Sequence, residues 1–287
     1  MKKLKFILLF SICFLMSACL NVDDFNDEVI YTTIYPIEYA TQTIYGDSAK
    51  ITSIYPNGSS VENFKLTEKQ KNNYSKSNKF IYNGLSKEGL IARDLLNKNN
   101  NLEIVDAMKG MSYSKGIEEL WLDPSNFLMV CRNIKTALID YEDNVSVKNS
   151  IEKNYQKLKE DISIIDVDIY NLSKNGNYKT ILTTNDSLNY LTKYGINVIS
   201  IDPVNESLDK SLSETRRLIS KSELKYIYSI KGENTSESIN TFINDNKLTK
   251  IEIDPFITIT QEQRSNGATY ISLMNNIIDE LKKELFK

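Results

Sequence analysis

The chain has 287 residues, of which 41% are hydrophobic and 25% charged, the composition of a globular protein with enough length for one large domain or two of ordinary size. Its 35 basic and 38 acidic residues leave a net charge of -3, and no basic face of the size that nucleic acid requires is present. Histidine is absent, which excludes every Ser-His or Cys-His nucleophile and every imidazole metal ligand.

Residues 1–18 read as a lipoprotein signal peptide. Lys2, Lys3 and Lys5 form a positive start, residues 6–16 an apolar stretch too short for a confident membrane span, and Ser17-Ala18-Cys19 a small-residue cleavage site. LMSAC resembles a bacterial lipobox, which implies cleavage before Cys19 and a diacylglycerol on its sulfur. Residues 19–28 are then an acidic tether. With Cys13 removed and Cys19 lipidated, Cys131 is alone and forms no intramolecular disulfide. Its apolar, helix-periodic surroundings make it a buried hydrophobe.

Strand and helix alternate from there on. Apolar and Thr/Tyr residues at 30–34 and 51–55 predict two buried strands with a helix between them, a parallel unit. Pro56-Asn57-Gly58 then makes a tight loop leading to Glu62. A polar helix starts at Thr67 as N-cap, strands follow at 80–83 and 102–106, and an amphipathic helix lies between these at 87–96. The segment EELWLDPS holds the single tryptophan, Trp121, which reads as core, and precedes a helix at 126–140 capped by Ser125.

From Val145 to Leu172 there is no Gly or Pro, and Val147, Ile151, Tyr155, Leu158, Ile162, Ile165 and Ile169 recur three or four apart. This is one long amphipathic helix of roughly 40 Å. The second half repeats the alternation, with strands at 179–184, 197–201, 225–230 and 250–253 and helices at 186–194, 213–222, 236–245 and 269–286. No phosphate-binding G-x-x-x-x-G-K-S/T and no G-x-G-x-x-G is present, so ATP hydrolysis would belong to a partner.

The order and spacing of the lipobox, TTIYP, PNG, WLDP, the long helix and GATYISLM resemble the cluster A solute-binding lipoproteins of ABC transporters, the type that captures zinc or manganese outside the cell. The resemblance implies an α/β protein of two lobes, each a mostly parallel sheet covered by helices, joined by one long linking helix. The lobes are expected at 29–144 and 173–287, and the helix at 145–172. It further implies a monomer anchored through Cys19 to the outer face of a bacterial cytoplasmic membrane, with an ABC permease and ATPase as partners. An enzyme is not expected.

In that family two histidines follow the PNG-like loop and precede the tryptophan motif. Here Glu62 and Glu119 occupy those places, Asn185 stands where a histidine or glutamate follows the first strand of the second half, and Asp254 where the aspartate ends the last. The acid of the strand before that one is missing from 225–230. These four residues form the candidate metal set. Three carboxylates and an amide suit manganese, calcium or magnesium better than zinc. Local roles compete: solvated loop carboxylates at Glu62 and Glu119, a turn or helix cap at Asn185, a turn at Asp254. The alternative is a homologue with a degenerate metal site that binds a non-metal ligand or serves in surface adhesion.

Overall fold

The computed structural model describes residues 28–204 and 208–287, so the signal peptide, Cys19 and the tether up to residue 27 lie outside the described residues. The first sheet contains β1 (Val29–Thr32), β2 (Lys50–Ser53), β3 (Lys79–Tyr82) and β4 (Glu103–Asp106), all parallel, in the order β2-β1-β3-β4. The second contains β5 (Thr180–Thr183), β6 (Asn197–Ser200), β7 (Tyr226–Ile230) and β8 (Thr249–Ile253), in the order β6-β5-β7-β8. The two sheets therefore share one topology. In each, the first strand lies between the second and the third, so the chain reverses direction across the sheet there. Ligands of open α/β sheets collect beside such a point, at the carboxyl ends of the strands.

Helices close the layers: α1 (Tyr35–Tyr45), α2 (Glu68–Tyr74), α3 (Glu88–Lys98), α4 (Glu119–Leu122), α5 (Pro124–Tyr141), α6 (Val145–Asn175), α7 (Leu208–Ser220), α8 (Glu237–Asp245), α9 (Gln261–Ser265) and α10 (Tyr270–Leu285). Helix α6 is the linking helix. It has 31 residues, about 46 Å at 1.5 Å per residue. Asn144 starts it by accepting hydrogen bonds from the amides of Ser146 and Val147, and every apolar residue of the predicted stripe is buried. It continues three residues past the expected end.

The core is continuous from one lobe to the other through α1, α5, α6 and α10, and a smaller cluster covers the outer face of the second sheet. Alternation along the strands produces this split, because neighbouring side chains point to opposite faces. Ile181 and Tyr228 enter the main core, whereas Leu182 and Ile227 enter the smaller one. Cys131 is fully buried.

Local chemistry moves several boundaries. Asp123, not Ser125, caps α5: its Oδ1 accepts the Ser125 amide at 2.9 Å, and Pro124 supplies the fixed φ of a first helical position. Thr67 caps α2 as expected, in a reciprocal capping box with Gln70. Residues 186–194 form turns followed by a 3-10 helix, Asn189–Tyr194, rather than an α-helix. Asn185, just before them, takes the Ser187 amide with its side-chain oxygen, and Asp186 and Ser187 turn to Lys115 and Glu118 of the other lobe, so the first turn of an α-helix does not form. The short helices α4 and α9 carry too little periodicity to be seen in sequence. Among the described residues no helix is long and apolar enough to cross a membrane.

Candidate cation site at the seam between the lobes

Four loops from the carboxyl ends of the two sheets meet along one seam. The Pro56-Asn57-Gly58 loop docks on the opposite lobe. The Gly58 amide donates to Ile259 O at 2.9 Å, Asn57 exchanges hydrogen bonds with Gln261 and Arg264, and Thr258 Oγ1 donates to Ser59 O. Gly58 has a φ of 70°, the left-handed region that a side chain resists. Glu62 follows this loop but lies exposed. Phe64 packs edge-on against Tyr55 with ring centres 5.0 Å apart, and the Tyr55 hydroxyl donates to Glu88 at 3.2 Å.

Glu119 opens α4 and is 8% exposed. Its Oε2 accepts the Ser114 amide at 3.4 Å. Two residues on, Trp121 is buried as predicted, and its Nε1 donates to Pro255 O of the other lobe at 2.8 Å. The Trp121 carbonyl accepts the Tyr270 hydroxyl at 2.8 Å. The tryptophan thus holds the WLDP segment directly against the Asp254-Pro255 loop.

Asp254 ends β8. Its Oδ1 accepts the Phe256 amide at 2.8 Å, and its Oδ2 lies 3.3 Å from Lys231 Nζ. Phe256 is a buried non-glycine residue with φ of 40°. Such strain is maintained only where the surroundings over-determine it, and it collects at ligand sites. Asn185 follows β5 and accepts the Ser187 amide at 2.9 Å with its side-chain oxygen, closing a turn. The next residues of this turn reach the other lobe. Asp186 pairs with Lys115 at 3.1 Å, and Ser187 Oγ lies 3.2 Å from Glu118 Oε2. Gly116 is required at this crossing, because a Cβ there would stand 2.7 Å from Ser187 Oγ.

The seam is also crossed by ion pairs. Lys193 pairs with Asp123 and lies 3.0 Å from Ser125 Oγ. Arg264 donates at 2.8 Å to Glu38, a carboxylate only 3% exposed.

The structure therefore brings the loops of Glu119, Asn185 and Asp254 together and attaches that of Glu62 to them, while each of the four side chains occupies a local role. Among the described residues no three acidic or cysteine side chains are grouped closely enough to hold a metal ion. Among the charged residues of the seam that escaped the sequence reasoning, Lys231 and Glu233 lie in the turn after β7, beside the candidate set. Glu233 Oε2 accepts the Thr184 hydroxyl at 2.7 Å and the Ile230 amide at 3.3 Å. The signal was its place past the carboxyl end of a strand, three residues beyond the segment in which an acid was sought. A cavity of about 460 Å³ lies elsewhere, between α6 and α10, and none of the four candidates lines it.

The two-lobed arrangement and the seam have counterparts among known proteins. The family model described as "ZnuA: Zinc-uptake complex component A periplasmic" matches residues 30–284. The chain belongs to this family. Its members are transport components and not enzymes. A curated relative, the zinc-binding lipoprotein AdcA of Streptococcus pneumoniae serotype 4, is 25% identical over 312 residues, which cover 99% of this chain and 61% of AdcA. The chain thus spans about three-fifths of the length of the curated relative it matches. The Zn(II)-bound ZnuA-like domain of pneumococcal AdcA superposes with a TM-score of 0.71 at 23% identity, covering 91% of this chain and 99% of that domain. The metal-dependent lipoprotein YcdH of Bacillus subtilis superposes with a TM-score of 0.74 at 21% identity, covering 91% of this chain and all of YcdH. At these identities the structural likeness establishes the fold.

Proposed function

We propose that this member of the ZnuA family is the extracytoplasmic receptor of an ABC importer and captures a divalent cation between its lobes with Glu62, Glu119, Asn185 and Asp254. The observation that supports this reading is the meeting of the four loops along one interlobe seam, each carrying an oxygen donor, with Glu62 and Glu119 in place of imidazoles. The pneumococcal relative is named for zinc. An oxygen-only set favours a harder cation such as manganese, calcium or magnesium. Carboxylates drawn together without a counter-charge repel, so the cation itself supplies the free energy that turns Glu62 inward and releases Asp254 from Lys231. Residues 29–144 and 173–287 act as the two lobes and 145–172 as their link. Cys19 carries the lipid that holds a monomer on the outer face of the cytoplasmic membrane, and a permease and an ATPase receive the cargo.

Thermal unfolding of the chelator-stripped protein with manganese, iron, zinc, calcium or magnesium tests the reading. A ligand of the native state raises its stability by mass action, about 2.7 kcal/mol at a hundred times its dissociation constant. No rise with any of the five, well above micromolar concentration, counts against it.

A second reading has its own support. With no histidine, no group of three acids among the described residues and Lys231 already beside Asp254, the seam instead accepts a non-metal ligand such as a cationic organic solute, or the scaffold serves in surface adhesion. Stabilisation by such a solute with indifference to all five metals would select this reading.

A further inference from the structure

The turn after β7, Lys231-Gly232-Glu233, places two opposite charges at the carboxyl end of the second sheet. The Lys231 amide donates to Ile253 O at 2.9 Å, which continues the β7–β8 ladder one step past the strands and fixes the turn beside Asp254. Lys231 Nζ then lies 3.3 Å from Asp254 Oδ2, on a side chain 55% exposed against 33% for the aspartate. On the other side, Glu233 is held over the end of β5 by the hydroxyl of Thr184, a residue 2% exposed and next in the chain to Asn185. Both hydrogen bonds to Glu233 go to Oε2. Among the described residues nothing bonds its Oε1.

We infer that this turn sets the cation affinity of the seam: Lys231 is a resident counter-cation on Asp254 that an incoming divalent ion displaces, and Glu233 supplies the carboxylate that Asn185 lacks. The inference rests on the reading of the seam as a cation site. Charge balance supports it. With Glu62, Glu119, Asp254 and Glu233 the seam carries four carboxylates, of which Lys231 pairs with one. A divalent ion that displaces the ammonium offsets one more charge than the lysine did, whereas a monovalent ion gains nothing over the lysine already present.

The long, half-exposed stem of Lys231 lets the ammonium swing into solvent while the ion enters. An exposed ion pair is worth a factor of about five at most, and the displaced ammonium still repels a divalent ion at short range. Together these predict a three- to tenfold weakening of cation binding by Lys231. The other charges near the turn are Lys250 and Glu252, which pair with each other at 3.6 Å.

The test is a competition titration of the full, chelator-stripped chain with Mn²⁺ against a chromogenic chelator, comparing Lys231→Gln, Glu233→Gln, Asp254→Asn and Lys250→Gln with the parent. Lys231→Gln should tighten Mn²⁺ binding about three- to tenfold and Glu233→Gln weaken it about tenfold, while Lys250→Gln, which removes the same charge farther along β8, leaves it unchanged. Thermal unfolding without metal verifies that each variant is folded. Because Glu233 also accepts a backbone amide, Lys231→Gln decides the matter should Glu233→Gln fail to fold. Binding by Lys231→Gln where the parent shows none also supports the inference. Equal affinities for the parent, Lys231→Gln and Glu233→Gln, with loss in Asp254→Asn, overturn it and leave the cation site standing. No binding by any of these proteins overturns both.

Discussion

Glu88 is a carboxyl group sealed inside the first lobe, 5% exposed, accepting the Asn83 amide at 2.8 Å and the Tyr55 hydroxyl at 3.2 Å. Burial outweighs these bonds and pushes its pKa up to about 7 from 4.5. Between these values the folded chain holds a proton that the unfolded chain has lost, so stability must fall as pH rises from about 4.5 to about 7 and level off above. The fall attributable to this group is about 3 kcal/mol at most. Glu88→Gln removes the titration, and urea unfolding at pH 5 and pH 7.5 should show the parent losing stability relative to the variant. Parallel pH profiles would contradict the placement. Trp121→Phe deletes the Nε1 hydrogen bond across the seam and leaves a buried carbonyl unpaired, a loss of about 1–3 kcal/mol. Trp121 is the single tryptophan, so circular dichroism in urea, and not fluorescence, measures that loss.

Among the elements, α6 separates what was legible in the sequence from what was not. Its apolar stripe recurs at helical spacing over many turns, and the face that recurs is the face that packs. Leu158→Ala, at a fully buried position, should cost about 2–5 kcal/mol in chemical denaturation. Ile164→Ala on the same helix, 59% exposed, should cost less than about 0.5 kcal/mol. Strand alternation and the Thr67 cap were legible for the same reason, since each depends on neighbours in the chain. The helices α4 and α9 are too short to show a period, and at 186–194 local hydrogen bonds prevailed over helix propensity. At the candidate site, motif order gave the loops but not the direction of their side chains. Glu62 points to solvent, Asn185 closes its own turn, and Lys231 approaches Asp254 from the turn after the adjacent strand. Contacts between segments distant in sequence, such as Lys115 with Asp186, leave no periodic trace at all.

At the scale of the molecule, a stiff helix and a continuous core join two sheets of one topology, and polar contacts close the seam between them. Among the described residues three ion pairs cross it, between Lys115 and Asp186, Lys193 and Asp123, and Arg264 and Glu38. The docked PNG loop and the Trp121–Pro255 hydrogen bond reinforce them. Such a frame disfavours wide hinge opening, so the proposed capture of a cation would depend on side chains that turn into the seam rather than on lobes that swing. The central claim is that this seam binds one divalent cation. Equilibrium dialysis of the purified chain against a mixture of divalent metals, followed by elemental analysis, tests it most directly, with Glu62→Ala, Glu119→Ala and Asp254→Asn alongside. The account predicts close to one equivalent of a single cation on the parent and markedly less on each variant; a parent that retains no more metal than its variants would contradict it.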